Sequence, residues 1–274
     1  MIDSHVHFWN YHPVKDAWID ESMAVLQRDF SPVDLFPEMQ ARGVEACVAV
    51  QADQSENETD FLLAYAQNHP FVAAVVGWVE LGADNLESKL EKYAEYKLLK
   101  GWRHILQAEA DGFMSSTTFK NGIAKLAAFN YTYDLLIYHT QLAECINLVN
   151  SFPNQRFVLD HIAKPPIKTG EGKEAWALQL KELAKHEGLY CKISGMVTEA
   201  DWQNWQSSDF DFYIDTVLEA FGTQRVLFGS DWPVCNLAAN YKQVLSITQN
   251  YFKQFSANEQ LAFFKNNAID FYQI

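Results

Sequence analysis

No apolar run in this sequence approaches the ~18 residues that a membrane-spanning helix needs. The opening "MIDSHVHFW" carries neither the basic nor the apolar stretch of a secretory leader, which predicts a cytoplasmic location. Basic charge is scarce: 21 Lys and Arg stand against 35 Asp and Glu, a formal net charge of -14. Such a surface repels polyanions, so no nucleic acid and no membrane is expected among its partners. Only four cysteines occur, Cys47, Cys145, Cys191 and Cys235, widely scattered and with no CxxC pair, as buried reduced thiols would be. Two further signatures are missing. No Gly-rich turn follows the first apolar run, where "FWNYHPVKDAW" stands instead, which weighs against an open doubly wound sheet. No serine sits in a G-x-S-x-G elbow, which weighs against Ser4, Ser194 or Ser230 as a nucleophile.

What is present is regular. Short β-rich runs cover 2–8, 44–51, 71–79, 98–104, 132–139, 156–161, 189–194 and 225–231, and most are followed by a stretch of helical periodicity such as "ETDFLLAYAQNHP" or "EAWALQLKELAKHEG". Eight β/α units without a composition break, in 274 residues that are 49% hydrophobic, predict one α/β domain over 1–274, a (β/α)8 TIM barrel of ordinary size, typically ~250 residues. The stretches 8–31 and "ILQAEADGFMSSTT" are long for connections in such a barrel, and long loops are usually binding loops.

On the first strand "DSHVH" places His5 and His7 two apart, so both imidazoles face one side. In a barrel that side is the interior near the C-terminal mouth, where barrel enzymes keep their active sites. Two neutral imidazoles invite a metal without completing its shell. Asp231, ending the eighth run "RVLFGSDWP", becomes a neighbour of the first strand on closure and is read as the third ligand and a base, against its alternative as a turn or helix-capping residue. Arg103 and His104 end the fourth run, where they serve either to bind a substrate oxygen or, for Arg103, to form an interior ion pair. His161 and Lys164 in "DHIAKPP" are read as site residues, whereas Asp160 should alternate outward and be structural. Trp9, Trp18 and Trp232 flank the expected mouth, and Trp232 is taken as a substrate contact.

"DSHVHFW", "KGWRH", "VLDHIAKPPI", "YCKISGM" and "RVLFGSDWPV" together resemble the amidohydrolase superfamily, and within it the amidohydrolase-related (type 2) family of sugar lactonases. The resemblance spans the chain. It implies a (β/α)8 barrel and a hydrolase that opens an aldonolactone, such as L-fucono- or L-rhamnono-lactone, by attack of water with Asp231 as general base. It also implies His161 as a catalytic residue and one divalent ion, zinc first, on His5, His7 and Asp231, although some members of that branch resemble metal-independent enzymes. No lysine matches the carbamate position of binuclear members, since Arg103 and His104 occupy the end of that strand. His139 ends the fifth run, where the wider superfamily often has a ligand. A metal-dependent decarboxylase of aromatic acids shares the same residue types and is the alternative function. The expected partner is a small lactone, and the oligomeric state is left open.

Overall fold

Each apolar run forms a strand shorter than the run itself, and in all but the fourth the last residues leave the sheet for the loops of one barrel mouth. The computed structural model describes residues 1–274. Its strands are β1 (Ile2–Val6), β2 (Ala46–Val50), β3 (Val72–Gly77), β4 (Leu99–His104), β5 (Thr132–Leu135), β6 (Phe157–Leu159), β7 (Leu189–Ile193) and β8 (Val226–Phe228), parallel and in sequence order. The seam between first and last strands is narrow. It is closed by a Val6–Trp232 bridge, by the His7 N–H on the Trp232 carbonyl (2.7 Å) and by the Asp231 N–H on the His5 carbonyl (2.9 Å).

Helices α1 (Pro32–Gln40), α2 (Glu56–Asn68), α3 (Leu86–Tyr93), α4 (Thr117–Leu126), α5 (Leu142–Asn150), α6 (Lys173–Leu183), the short α7 (Met196–Glu199), α8 (Asp211–Phe221) and α9 (Tyr241–Phe252) follow the strands. Serines start several of them: Ser55 accepts from the Glu58 N–H, Ser116 from that of Phe119, and the Ser31 N–H and hydroxyl both donate to the Asp34 carboxylate. α2 shows why such segments dock. Its Thr59, Leu62, Leu63 and Ala66 recur at helical spacing and are buried against the sheet. α10 (Ala257–Leu261) and α11 (Asn267–Tyr272) end the chain.

Side chains alternate through the barrel wall. Val48, Val50, Ala74 and Val76 turn inward with Ile2, Val158 and Leu227 and meet Phe271 and Tyr272 of α11, while Cys47, Ala49 and Val75 join the outer core under the helices. Lys100 Nζ bonds the Gln273 carbonyl (2.9 Å) and Arg156 Nη1 that of Phe271 (2.6 Å). Both basic residues lie at strand beginnings, so α11 seals the N-terminal end of the barrel. The four cysteines are free and buried. No helix is long and apolar enough to cross a membrane.

Candidate active site

Three local departures from regular strand geometry build the site at the opposite end. In β1 the pairing slips by one residue, Asp3 facing Cys47 but Val6 facing Ala49, and this bulge brings both His5 and His7 to the interior. After β6, inward Val158 is followed at spacing two by inward Asp160. The outward orientation expected for Asp160 is therefore corrected: it is fully buried within the barrel. Then His161, Ile162, Ala163 and Lys164 all take left-handed backbone (φ 51, 49, 61 and 46), a strained turn that swings the His161 ring over the barrel axis beside Asp160. Asp231 is the third departure, with φ 60 immediately after β8.

Above the apolar floor lies a layer of buried charge. Lys192 Nζ, with no exposure at all, contacts Asp134 Oδ2 (2.6 Å) and Asp160 Oδ1 (3.0 Å), and Tyr272 donates to Asp134 from below (2.9 Å). Asp160 Oδ2 accepts from Arg103 Nη1 (3.1 Å). Arg103 Nη2 also bonds both the carbonyl and the side-chain oxygen of Gln51, while its Nε has no partner. Single buried charges are costly, so each is held by its neighbours. Arg103 thus fills the ion-pair role and still lines the open cavity above.

The imidazoles rest on this layer. His7 Nδ1 donates to the Val50 carbonyl (2.7 Å), His161 Nδ1 meets Ser194 Oγ (2.8 Å), and His5 Nδ1 lies 3.3 Å from Asp160 Oδ1. Their Nε2 atoms converge on Asp231 Oδ1, at 3.4 Å for His7, 3.8 Å for His161 and 3.9 Å for His5, with 3.1 Å between the Nε2 atoms of His5 and His7. A tetrahedral zinc with bonds near 2.0–2.1 Å keeps its ligand atoms about 3.3 Å apart, and metal-bound imidazoles typically have the other nitrogen engaged as here. The donor set therefore fits a divalent ion. His5, His161 and Asp231 bring one ligand atom each within 4.8 Å of one another, and His7 Nε2 lies nearer still to His5 and Asp231, so His161 joins the set expected from the sequence.

Burial lowers His5 well below the ordinary histidine range and His161 to about 4, so both are uncharged at neutral pH. Burial also pushes the Asp231 carboxyl upward. His161, His7 and His5 outweigh it and hold that carboxyl below its usual range. Asp231 is the one carboxylate lining the cavity, which measures about 320 Å³.

The other expected residues divide. Lys164 lines the cavity, its ammonium 4.0 Å from Glu199. Trp9 and Trp18 form part of an apolar wall with Ile105, Leu136 and Val234. His104 does not reach the cavity, a correction that follows from strand alternation: Arg103 points in, so His104 points out. It lies between Trp78, whose indole N–H it accepts (3.2 Å), and Glu109 (2.8 Å), stacked on Phe113. Trp232 is likewise corrected. It is buried against Phe8 and Phe30 beneath the rim and is absent from the cavity wall. His139 binds the Lys164 carbonyl (2.9 Å) and stands apart from the cluster.

Several supporting residues escape a reading of the sequence. Lys192 and Asp134 look like ordinary strand polar residues, and only their inward register reveals them. Gly195 is more telling: at φ 64, a Cβ there would meet His161 Nδ1 at 2.6 Å, so the "SG" of "YCKISGM" is the seat of that ring. Gly229 does the same beneath His5, where a Cβ would approach the His5 Cβ to 2.8 Å.

Known proteins are similar to this chain in sequence and in fold. The chain is similar to an L-fucono-1,5-lactonase of Burkholderia multivorans, 39% identical over 284 residues that cover 100% of this chain and 96% of that one. A second L-fucono-1,5-lactonase, from Burkholderia ambifaria, is 34% identical over 241 residues, covering 88% and 82%. The crystal structure of a Burkholderia multivorans amidohydrolase with bound zinc superimposes with a TM-score of 0.95 at 40% identity, covering 100% and 99%. The Amidohydro_2 family model, described as amidohydrolase, matches residues 2–274. The chain belongs to the amidohydrolase family.

Proposed function

We propose that this protein is a cytoplasmic hydrolase that opens the lactone of a sugar acid, with L-fucono-1,5-lactone the first substrate to try and Asp231 as the general base. The observation that carries the reading is one ionised carboxylate, Asp231, ringed by three imidazoles at the foot of a cavity, in a chain 39% identical from end to end to an L-fucono-1,5-lactonase. Lactone opening needs a base for water, a donor for the developing oxyanion and a proton for the ring oxygen. Asp231 accepts the proton of the attacking water as the water oxygen bonds to the carbonyl carbon. Arg103, held by Asp160 and Gln51, donates to the carbonyl oxygen as it gains charge. The tetrahedral centre then collapses, the bond to the ring oxygen breaks, and the proton on Asp231 passes to that oxygen, leaving a hydroxy acid. His161, uncharged and seated on Ser194, flanks the water. A divalent ion held by His5, His161 and Asp231, with His7 adjacent, supplies Lewis-acid polarisation when bound. Lys164 faces the substrate hydroxyls from the rim.

Acid release followed with a pH indicator in weak buffer, over a panel of aldono-1,4- and 1,5-lactones, tests this. Hydrolysis above the spontaneous rate, abolished in Asp231→Asn, is expected. Silence across the panel with carbon dioxide release from an aromatic acid would replace lactonase by decarboxylase.

A further inference from the structure

The loop after β4 opens with Leu106–Ala108, one turn of 3-10 helix, and it is fastened at several points. The Ile105 N–H bonds Gln54 Oε1 (2.8 Å), the Gln107 N–H bonds the Leu136 carbonyl (3.0 Å), and the Leu106 carbonyl accepts from Gln141 Nε2 (2.9 Å). One residue beyond the turn, Glu109 is gripped by His104, which is itself fixed by Trp78. This explains a histidine that misses the cavity: it clamps the loop. The side chain presented by the fastened turn is Gln107. It lines the cavity shared with Arg103, His161, Lys164 and Asp231, and its Oε1 is buried without any hydrogen-bond donor.

Each of the other polar side chains in the cavity wall has a protein partner: His7 has Val50, Arg103 has Asp160 and Gln51, His161 has Ser194, Asp231 has His7, and Lys164 has Glu199. Gln107 alone among them has a side-chain oxygen without a donor, and that oxygen is enclosed rather than open to the cavity. Buried acceptors are costly unless something donates to them, so a turn of the amide toward a ligand hydroxyl relieves that cost. The fastened loop fixes the stem from which the amide turns.

Resting on the lactonase reading above, we infer that Gln107 is a specificity-determining residue whose amide oxygen, turned into the cavity from its enclosed position, accepts a hydrogen bond from one hydroxyl of the bound lactone, so that the site selects a polyhydroxylated ring. The apolar wall of Trp9, Trp18, Ile105, Leu136 and Val234 provides no such acceptor from its side-chain carbons. Selection for a hydroxyl therefore falls on the Gln107 side of the cavity.

The test compares kcat/KM of the wild-type protein and of Gln107→Met, which keeps length and removes the acceptor, on the best aldonolactone and on its monodeoxy analogues. Gln107→Leu serves as a second variant, and thermal melting checks that each is folded. Loss of a hydrogen bond to a substrate hydroxyl predicts a fall of roughly 10- to 100-fold on the parent lactone. One deoxy analogue, lacking the partner hydroxyl, should be hydrolysed equally by wild type and variant. An equal fall on every analogue, or no fall on the parent, overturns the inference while leaving the lactonase reading intact. Failure of the wild type on all lactones overturns both.

Discussion

The two ends of the barrel interior are made by the same eight strands and obey different rules. At the N-terminal end Val48, Val50, Ala74, Val76, Val158 and Leu227 alternate regularly and pack as an apolar floor. At the C-terminal end Asp134, Asp160, Arg103 and Lys192 keep the alternation but carry buried charge, and the histidines above them are placed by a bulge in β1 and a left-handed turn after β6. The floor stabilises by removing apolar surface from water, about 25 cal/mol per Å². The charged layer gains little by burial and holds its groups in place through mutual pairing. Stability and chemistry are thus separated along one axis, and that separation can be attacked by mutation.

The largest effect should come from the cavity-facing tip of the charged end. Asp231→Asn is expected to lower kcat by roughly 10²–10⁴ with little change in the melting curve, the range typical for loss of a general base. A near-normal rate would remove Asp231 from that role. Next, Lys192→Met leaves Asp134 and Asp160 buried without their shared cation and should cost about 3–5 kcal/mol in urea unfolding. It should also lower kcat of the folded fraction, because Asp160 positions Arg103. Leu227→Ala in the floor offers the contrast: about 2–5 kcal/mol lost with the rate per folded molecule retained. Equal effects of the two on rate would erase the proposed division.

Gly195→Ala probes the seat of His161. Its Cβ collides with the ring from a left-handed backbone, and displacement of that order should cost on the order of 10²-fold in kcat. Smallest is Tyr272→Phe, which removes one donor to Asp134 from under the layer and should cost about 1.5–3 kcal/mol without altering KM. A changed KM would mean that the floor and the site are coupled more tightly than their geometry implies.

The strands were legible in the sequence because eight short apolar runs, most followed by a stretch of helical periodicity, fit a closed barrel. His5 and His7 were legible because the His-x-His spacing puts both on one side of the first strand, and Asp231 because chain closure makes the eighth strand a neighbour of the first. The misreadings share one cause, since alternation fixes direction only when the phase is known. Asp160 was phased from His161, but it is His161 that departs from the strand, through a φ of 51 that nothing in "DHIAKPP" encodes locally. His104 and Trp232 sit beside true cavity residues and were credited with their neighbours' direction. Lys192 is distant in sequence from Asp134, and Gln51 from Arg103, and each partnership exists only once the strands have assembled.

That closure has a consequence in time. The narrow seam is stitched by the backbone of the candidate site itself, Asp231 to His5 and Trp232 to His7. During synthesis β1 emerges long before β8, which closes the seam with it, and at ~5–20 residues per second the interval is on the order of 10 s or more. Until then the imidazoles of β1 have no carboxylate from Asp231 to face, and the nascent barrel has an unpaired edge. The chain therefore gains its chemistry and loses its most association-prone surface in a single late event, and any fragment ending before residue 231 should have neither a closed edge nor this catalytic centre.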